Sequence, residues 1–307
     1  MDLTAIVVPT HVCNLRCKYC YNADERRPVM NRRILETVIR RLIQYSASVK
    51  QFAGTTFIWH GGEASIAGLD FYKDALSFQR QYATGARVSN FIQTNGLLLD
   101  DEWLIFLREN EFGLSMSIDG PKEVHDRNRV DPRGQGTLDR TLKVLERARA
   151  LGLTPGVVVT VNKTNLLHMR EIYLSLASLG IAFNVVPIVK SGDAVDGFDD
   201  FAITPEQWGF ALIELFDLWY EGKPYIQIDD LVHATRAVMT GAPATCNHTR
   251  NCASFNISVD PKGDVYPCGW LSGHADLRYG NLESSSLGEL LEVEIALALR
   301  NRDVPAD

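Results

Sequence analysis

The chain has 307 residues, 46% hydrophobic and 22% charged, with a formal net charge of −7 and a pI near 5.6. This acidic balance argues against nucleic acid or an anionic membrane surface as the main partner. The opening MDLTAIVVPTHVC has neither the basic start nor the apolar core of a secretion signal. No apolar run approaches the ~18 residues of a membrane span, so a cytoplasmic protein is expected. The length suits one large domain, or a large and a small one.

Taken in chain order, strand-like apolar runs alternate with helical patterns. Strands are predicted at 4–9, 55–59, 87–93, 113–118, 154–161 and 181–187, and helices at about 31–48, 68–83, 100–110, 137–151 and 165–179. In the first helix Ile34, Leu35, Val38, Ile39, Leu42 and Ile43 share one face, with arginines opposite. Strands joined through helices at short range imply parallel, right-handed βαβ units. The pattern alone does not separate an open doubly wound sheet from an incomplete barrel. Beyond about 190 the alternation stops. Thr204-Pro205-Glu206 opens a helix to about 221 with a threonine cap and a proline in the first turn. Another helix follows at about 229–240, then a hairpin of Ser254–Val259 and Asp264–Tyr266 around Asp260-Pro261-Lys262-Gly263, and a last helix at about 286–299.

The six cysteines fall into two groups of three, Cys13/Cys17/Cys20 and Cys246/Cys252/Cys268. In a cytosolic setting this suggests two metal sites and not a disulfide framework. Cys13-x3-Cys17-x2-Cys20 follows the first strand. Three thiolates on one short loop can hold three irons of a cubane cluster and leave the fourth open. The competing reading is a zinc knuckle with Cys17 and Cys20 as half of a tetrahedral site, for which His11 is the one nearby further ligand.

With its position after a first strand, this cysteine motif resembles the radical S-adenosylmethionine (SAM) enzymes. The resemblance implies a partial (β/α)6 barrel of the TIM type. It also implies a [4Fe-4S] cluster with SAM at the open iron, and reductive cleavage of SAM to a 5′-deoxyadenosyl radical that abstracts hydrogen from a C–H bond. An electron donor such as flavodoxin or ferredoxin is expected. By the same resemblance, His60-Gly61-Gly62-Glu63 stands where Gly-Gly-Glu grips the SAM amino group, with Ala64 in place of the usual proline. Asn95 and Ser117 stand where SAM ribose and carboxylate are met, and Tyr19 where the adenine is touched. His125-Asp126-Arg127-Asn128-Arg129 resembles a stretch of the sulfatase-maturating enzymes and their peptide-modifying relatives, which implies that Arg129 pairs with the SAM carboxylate. Asp119 is expected to shape an Asp-Gly turn.

Cys246-x5-Cys252-x10-Gly263-x4-Cys268 resembles the front half of the SPASM motif, which holds an auxiliary iron–sulfur cluster. The further cysteine run of that motif is absent here, implying either a fragment or a shortened, Twitch-like variant in which a group such as His248 completes the cluster. The resemblance divides the chain into a barrel at 1–203, a helical linker at 204–241 and an auxiliary-cluster region at 242–307. Gly269 occupies the place of the aspartate base of sulfatase-maturating enzymes, which argues against formylglycine formation. Asp193, Asp196, Asp199 and Asp200 form an acidic loop that is either solvated or a lip for a polycationic substrate. A natural-product substrate, small molecule or peptide, is expected. The first functional reading is epimerisation of an aminoglycoside or sugar stereocentre, similar to neomycin C epimerase, with Cys246 as hydrogen donor. The second is maturation of a ribosomal peptide, similar to cyclophane-forming enzymes, and a third is a non-catalytic electron carrier or zinc protein.

Overall fold

The computed structural model describes residues 1–20, 29–83, 85–188, 198–222, 225–241 and 252–301, the side chains of Phe198 and Cys252 excepted. Six strands pair in parallel: β1 (Leu3–Thr10), β2 (Gly54–Gly61), β3 (Arg87–Thr94), β4 (Gly113–Ser117), β5 (Gly156–Val161) and β6 (Phe183–Pro187). Helices α1 (Arg32–Ser48), α2 (Leu69–Tyr82), α3 (Asp101–Glu109), α4 (Lys122–Asn128), α5 (Leu138–Ala150) and α6 (Met169–Ser178) run between them. Spatial order follows chain order from β1 to β6. A doubly wound sheet reverses its order at the centre, whereas a sheet stepping always one way winds as a barrel does. The ambiguity left by the sequence is settled in favour of the partial barrel.

The alternating pattern of β1 buries Leu3, Ala5 and Val7, and the apolar stripe of α1 buries Leu35, Val38, Ile39, Leu42 and Ile43 in the same core. The Asn31 side chain accepts the Ile34 N–H and starts α1; Asp100 does the same for α3 with the Trp103 N–H. Between sheet and helices, Phe57 stacks on Trp59, and Tyr72 meets Trp59, Trp103 and Phe112 edge-on.

After the barrel come α7 (Phe198–Phe201), α8 (Pro205–Glu221), α9 (Asp229–Thr240), β7 (Asn256–Val259), β8 (Asp264–Tyr266), β9 (Gly280–Asn281), α10 (Leu287–Leu290) and α11 (Glu294–Arg300). Thr204 and Gln207 form the capping box that opens α8. The β7–β8 hairpin does not stand apart. β7 pairs in parallel with β1, Val259 against Val7, so the sheet runs β6-β5-β4-β3-β2-β1-β7-β8-β9 and β1 is an interior strand. The single helix expected at 286–299 is two. In one unbroken helix Ala296 would lie about half a turn out of phase with Leu287. The extended Val293 breaks the helix, and Leu287, Leu290, Leu291 and Ala296 are all buried. No helix among the described residues is long and apolar enough to cross a membrane.

Candidate functional site

Parallel pairing brings the carboxyl ends of all six barrel strands, and of β7, to one edge of the sheet. Thr10 leads into the cysteine loop, Gly61 into Gly62-Glu63, Thr94 into Asn95, Ser117 into Asp119, and Val259 into Asp260.

The cysteine loop is tied by its backbone. Arg16 N–H donates to Val130 O at 2.8 Å and Lys18 N–H to Asn128 O at 3.0 Å, locking the loop to the chain around Arg129. Cys13, Cys17 and Cys20 are half-buried and within electrostatic reach of one another. Burial pushes the Cys13 thiol up to about 11 and the Cys17 thiol up to about 12. Thiolates in such a place need a cationic metal group to offset their charge. The Leu15 N–H lies 3.4 Å and the Asn95 Nδ2 3.8 Å from Cys13 Sγ, so donors already face a sulfur that would carry charge. Among the described residues no three His, Cys, Asp or Glu side chains gather as a single metal ion requires. A cubane asks something different, with each sulfur meeting its own iron. The chemistry and placement of the three-cysteine loop fit a cluster.

Gly61 and Gly62 are needed because the next loop lies directly on this one. Gly61 has φ +121°, and a Cβ there would stand 2.4 Å from Thr10 O. A Cβ at Gly62 would stand 2.3 Å from both His11 O and Val12 O. The close approach is held by Gly62 N–H to Thr10 O at 3.0 Å and Glu63 N–H to Val12 O at 2.9 Å. Glu63 is buried; its Oε1 accepts from Ser65 N, Ser65 Oγ and Thr94 Oγ1, while Oε2 accepts from Asn95 N alone. That carboxylate joins β2 to β3 and keeps acceptor capacity on Oε2. Ala64, where proline is usual, is buried and opens a short 3-10 turn whose carbonyl receives the Tyr72 hydroxyl at 2.9 Å.

Asn95 Nδ2 donates to Asn14 Oδ1 at 2.8 Å, so Asn95 adjoins the cysteine loop; Ser117 Oγ receives Gln93 Nε2 at 3.0 Å. The expectation for Asp119 needs correction. Its carboxylate bonds are not made within its own turn. Oδ2 receives the Tyr19 hydroxyl at 2.5 Å and Arg129 Nε at 2.9 Å, and Oδ1 receives Thr160 N–H at 3.0 Å. Arg129 is thus in a buried ion pair, its guanidinium 5.5 Å from the Tyr19 ring centre. Its Nη2 reaches Thr160 Oγ1 at 3.4 Å, and Nη1 has no hydrogen-bond partner among the described residues. Tyr19 also meets Phe201 of α7 edge-on at 6.4 Å.

A hydrogen-bonded ring supports this pair. Asp119 N–H donates to His125 Nδ1 at 3.2 Å, which places the imidazole proton on Nε2, 2.9 Å from Thr137 Oγ1. That hydroxyl donates to Arg129 O at 3.0 Å. Burial, opposed by Asp119 and Asp126 and assisted by Arg129 and Lys122, pushes the His125 pKa down to about 4. An exposed histidine titrates near 6.5, so between those values the unfolded chain binds a proton that the folded ring does not. Stability is therefore expected to fall as pH drops from about 6.5 towards 4, by on the order of 3 kcal/mol over the window, and to be unaffected by this group above it. Urea midpoints of wild type and His125→Gln between pH 5 and 7 check this. The variant should lose most of the slope, and parallel pH profiles would contradict the assignment.

Comparison with known proteins places the chain in a family. The sequence profile of the Radical SAM superfamily matches residues 7–173, from β1 to α6, more than half of the chain. The chain belongs to the radical SAM superfamily. It is therefore a radical SAM enzyme, of a superfamily whose cofactors are a [4Fe-4S] cluster and SAM. It is 32% identical to a serine-type anaerobic sulfatase-maturating enzyme of Bacteroides thetaiotaomicron, across 92% of this chain and 72% of that protein. A cysteine-type enzyme of Clostridium perfringens is 28% identical over 91% of this chain and 77% of its own length. Among solved structures, anSMEcpe with bound AdoMet superposes with a TM-score of 0.87 at 25% identity, covering 98% of this chain and 80% of that one. Streptococcus suis SuiB bound to S-adenosylmethionine, at 15% identity and a TM-score of 0.70 over 98% of this chain and 68% of its own, shares the fold.

In this radical SAM protein only some of the remaining expected site residues fall within the described residues. Asp199 and Asp200 are exposed in α7, whose Phe201 O receives the Lys163 N–H at 2.9 Å. Asp193 and Asp196 lie outside the described residues, as do Cys246 and His248. The backbone of Cys252 begins a 3-10 turn before β7, and Cys268 follows β8, so the two flank the hairpin. A Cβ on Gly269 would stand 3.3 and 3.5 Å from the Ile6 side chain, which sets Gly269 against β1. Sequence reasoning passed over Asn14, Thr94, His125, Thr137 and Thr160. Thr94 and Thr160 had a usable signal, each being polar at the carboxyl end of a strand, and Asn14 lies inside the cysteine motif itself.

Proposed function

We propose that this radical SAM enzyme oxidises a peptide substrate. The observation that carries the reading is the extent of the likeness to sulfatase-maturating enzymes, which runs through 92% of this chain and so past the barrel into the hairpin region. The solved anSMEcpe with bound AdoMet and Cp18Cys peptide, with a TM-score of 0.86 at 25% identity, supports a peptide as the substrate class. When bound, SAM and the cluster supply the radical that takes a hydrogen atom from a C–H bond, with the electron delivered by a donor such as flavodoxin or ferredoxin.

The protein's own residues then have distinct tasks. Cys13, Cys17 and Cys20 hold the irons. Glu63 Oε2 and the Gly61-Gly62 backbone would hold the SAM amino group, Arg129 would pair with its carboxylate, Asn95 and Ser117 would meet the ribose and carboxylate, and Tyr19 would touch the adenine. Cys246, Cys252 and Cys268 would hold an auxiliary cluster. Gly269 has no side chain with which to take a proton, which supports a product other than formylglycine.

The likeness to sulfatase-maturating enzymes favours a peptide over epimerisation of an aminoglycoside. The deciding experiment offers the anaerobically reconstituted enzyme, with SAM and reductant, two panels of probes: short peptides encoded beside its gene, and aminoglycosides. A peptide that loses two hydrogens in step with 5′-deoxyadenosine formation is the expected result. An unchanged peptide, together with an aminoglycoside that takes one deuterium from D2O at an inverted carbon, would establish the epimerase instead.

A further inference from the structure

The residue that the site reading leaves without a task is Asp119. Aspartate before glycine usually serves its own turn, receiving the N–H two residues on. Here every carboxylate bond goes elsewhere: to Tyr19 on the cysteine loop, to Arg129 at the end of α4, and to the Thr160 backbone in β5. The residue is only 1% exposed, and its own N–H is held by His125. The carboxylate is thus pinned on both oxygens and through its backbone, while Tyr19 and Arg129 come from segments about a hundred residues apart and converge on the single atom Oδ2. A buried guanidinium stays where its counter-charge puts it. Arg129 gives Nε to Asp119 and retains Nη1 for another anion.

We propose that Asp119 is the positioning residue of the SAM site: by holding Tyr19 and Arg129 on one oxygen, it fixes the part of the site that meets the adenine relative to the part that meets the carboxylate. The inference rests on the SAM-site reading above and adds to it the group that makes the two ends act as one. A pair of contacts held through a shared partner is lost together, so substitutions at Asp119 and Arg129 are not additive.

The test measures anaerobic SAM binding, by equilibrium dialysis and by the change SAM induces in the EPR spectrum of the reduced cluster. The proteins are reconstituted wild type, Asp119→Asn, Arg129→Gln, the double variant and Tyr19→Phe. Asp119→Asn and Arg129→Gln should each weaken binding about tenfold or more with iron content retained, and the double variant should bind no worse than the weaker single one. Wild-type affinity in Asp119→Asn, or two losses that multiply in the double variant, would overturn the proposal. Should Asp119→Asn fail to fold or to take up iron, Tyr19→Phe decides, since it deletes one hydrogen bond and keeps the ring. A several-fold loss of SAM affinity supports the shared anchor, and unchanged affinity refutes it. Wild-type protein that binds no SAM would overturn the site reading itself, and the inference with it.

Discussion

Replacing Cys13, Cys17 and Cys20 together with alanine is expected to abolish SAM cleavage and to remove about four irons per chain from the anaerobically reconstituted protein. The fold should survive. The loop is held by backbone bonds to Asn128 and Val130, and none of the three side chains belongs to the apolar core. Iron bound at the second cysteine group should remain, which separates loss of one cluster from loss of the protein. Iron assay, thermal unfolding and chromatography for 5′-deoxyadenosine together measure this. Continued formation of 5′-deoxyadenosine by the triple variant would remove the basis for placing the cluster on this loop.

The second large effect is expected from one added methyl group. Gly62→Ala places a Cβ 2.3 Å from two successive carbonyl oxygens, those of His11 and Val12, on the strand exit that carries the cysteines. Backbone cannot give way as a flexible side chain can, so either the Gly62 loop or the cysteine loop must move. A cost of about 3 kcal/mol is expected, with impaired iron uptake at the first cluster. Gly209→Ala is the control: nothing lies within 4 Å of its Cβ position, and it sits inside α8, where alanine is favoured over glycine. That control should match or slightly exceed wild-type stability. A Gly62→Ala protein with the wild-type urea midpoint and iron content would show that the close approach is not required.

Local structure was legible to within a residue or two wherever the signal was itself local. The apolar stripe of α1, the cap of α8 and the hairpin turn at Asp260 depend on neighbours within one or two turns. Strand order was not legible from pattern, because βα periodicity is identical in singly and doubly wound sheets. Nor was the pairing of β7 with β1, which rests on partners from opposite ends of the chain. In the site, polar residue types at strand ends marked the edge of the sheet where the loops converge. What sequence could not give was who binds whom. Asp119 reads as a turn residue because its neighbour is glycine, and only the fold brings Tyr19 and Arg129 to its carboxylate. His125 gave no sign of being neutral until its burial and its bond from the Asp119 N–H were seen.

The interior position of β1 bears on the order in which the protein can be made. One of the two partners of this strand, β7, follows it by about 250 residues and is synthesised that much later. Until then the N–H and C=O groups on that side of β1 have only water, or another chain, to bond. The same strand carries the cysteine loop at its end. A chain with its first six strands formed but without β7 would thus present an open edge beside the cysteine loop, until the β7–β8 hairpin covers it. Yield of intact protein should then depend on keeping that interval short and anaerobic, and a chain cut between α9 and β7 should aggregate through β1.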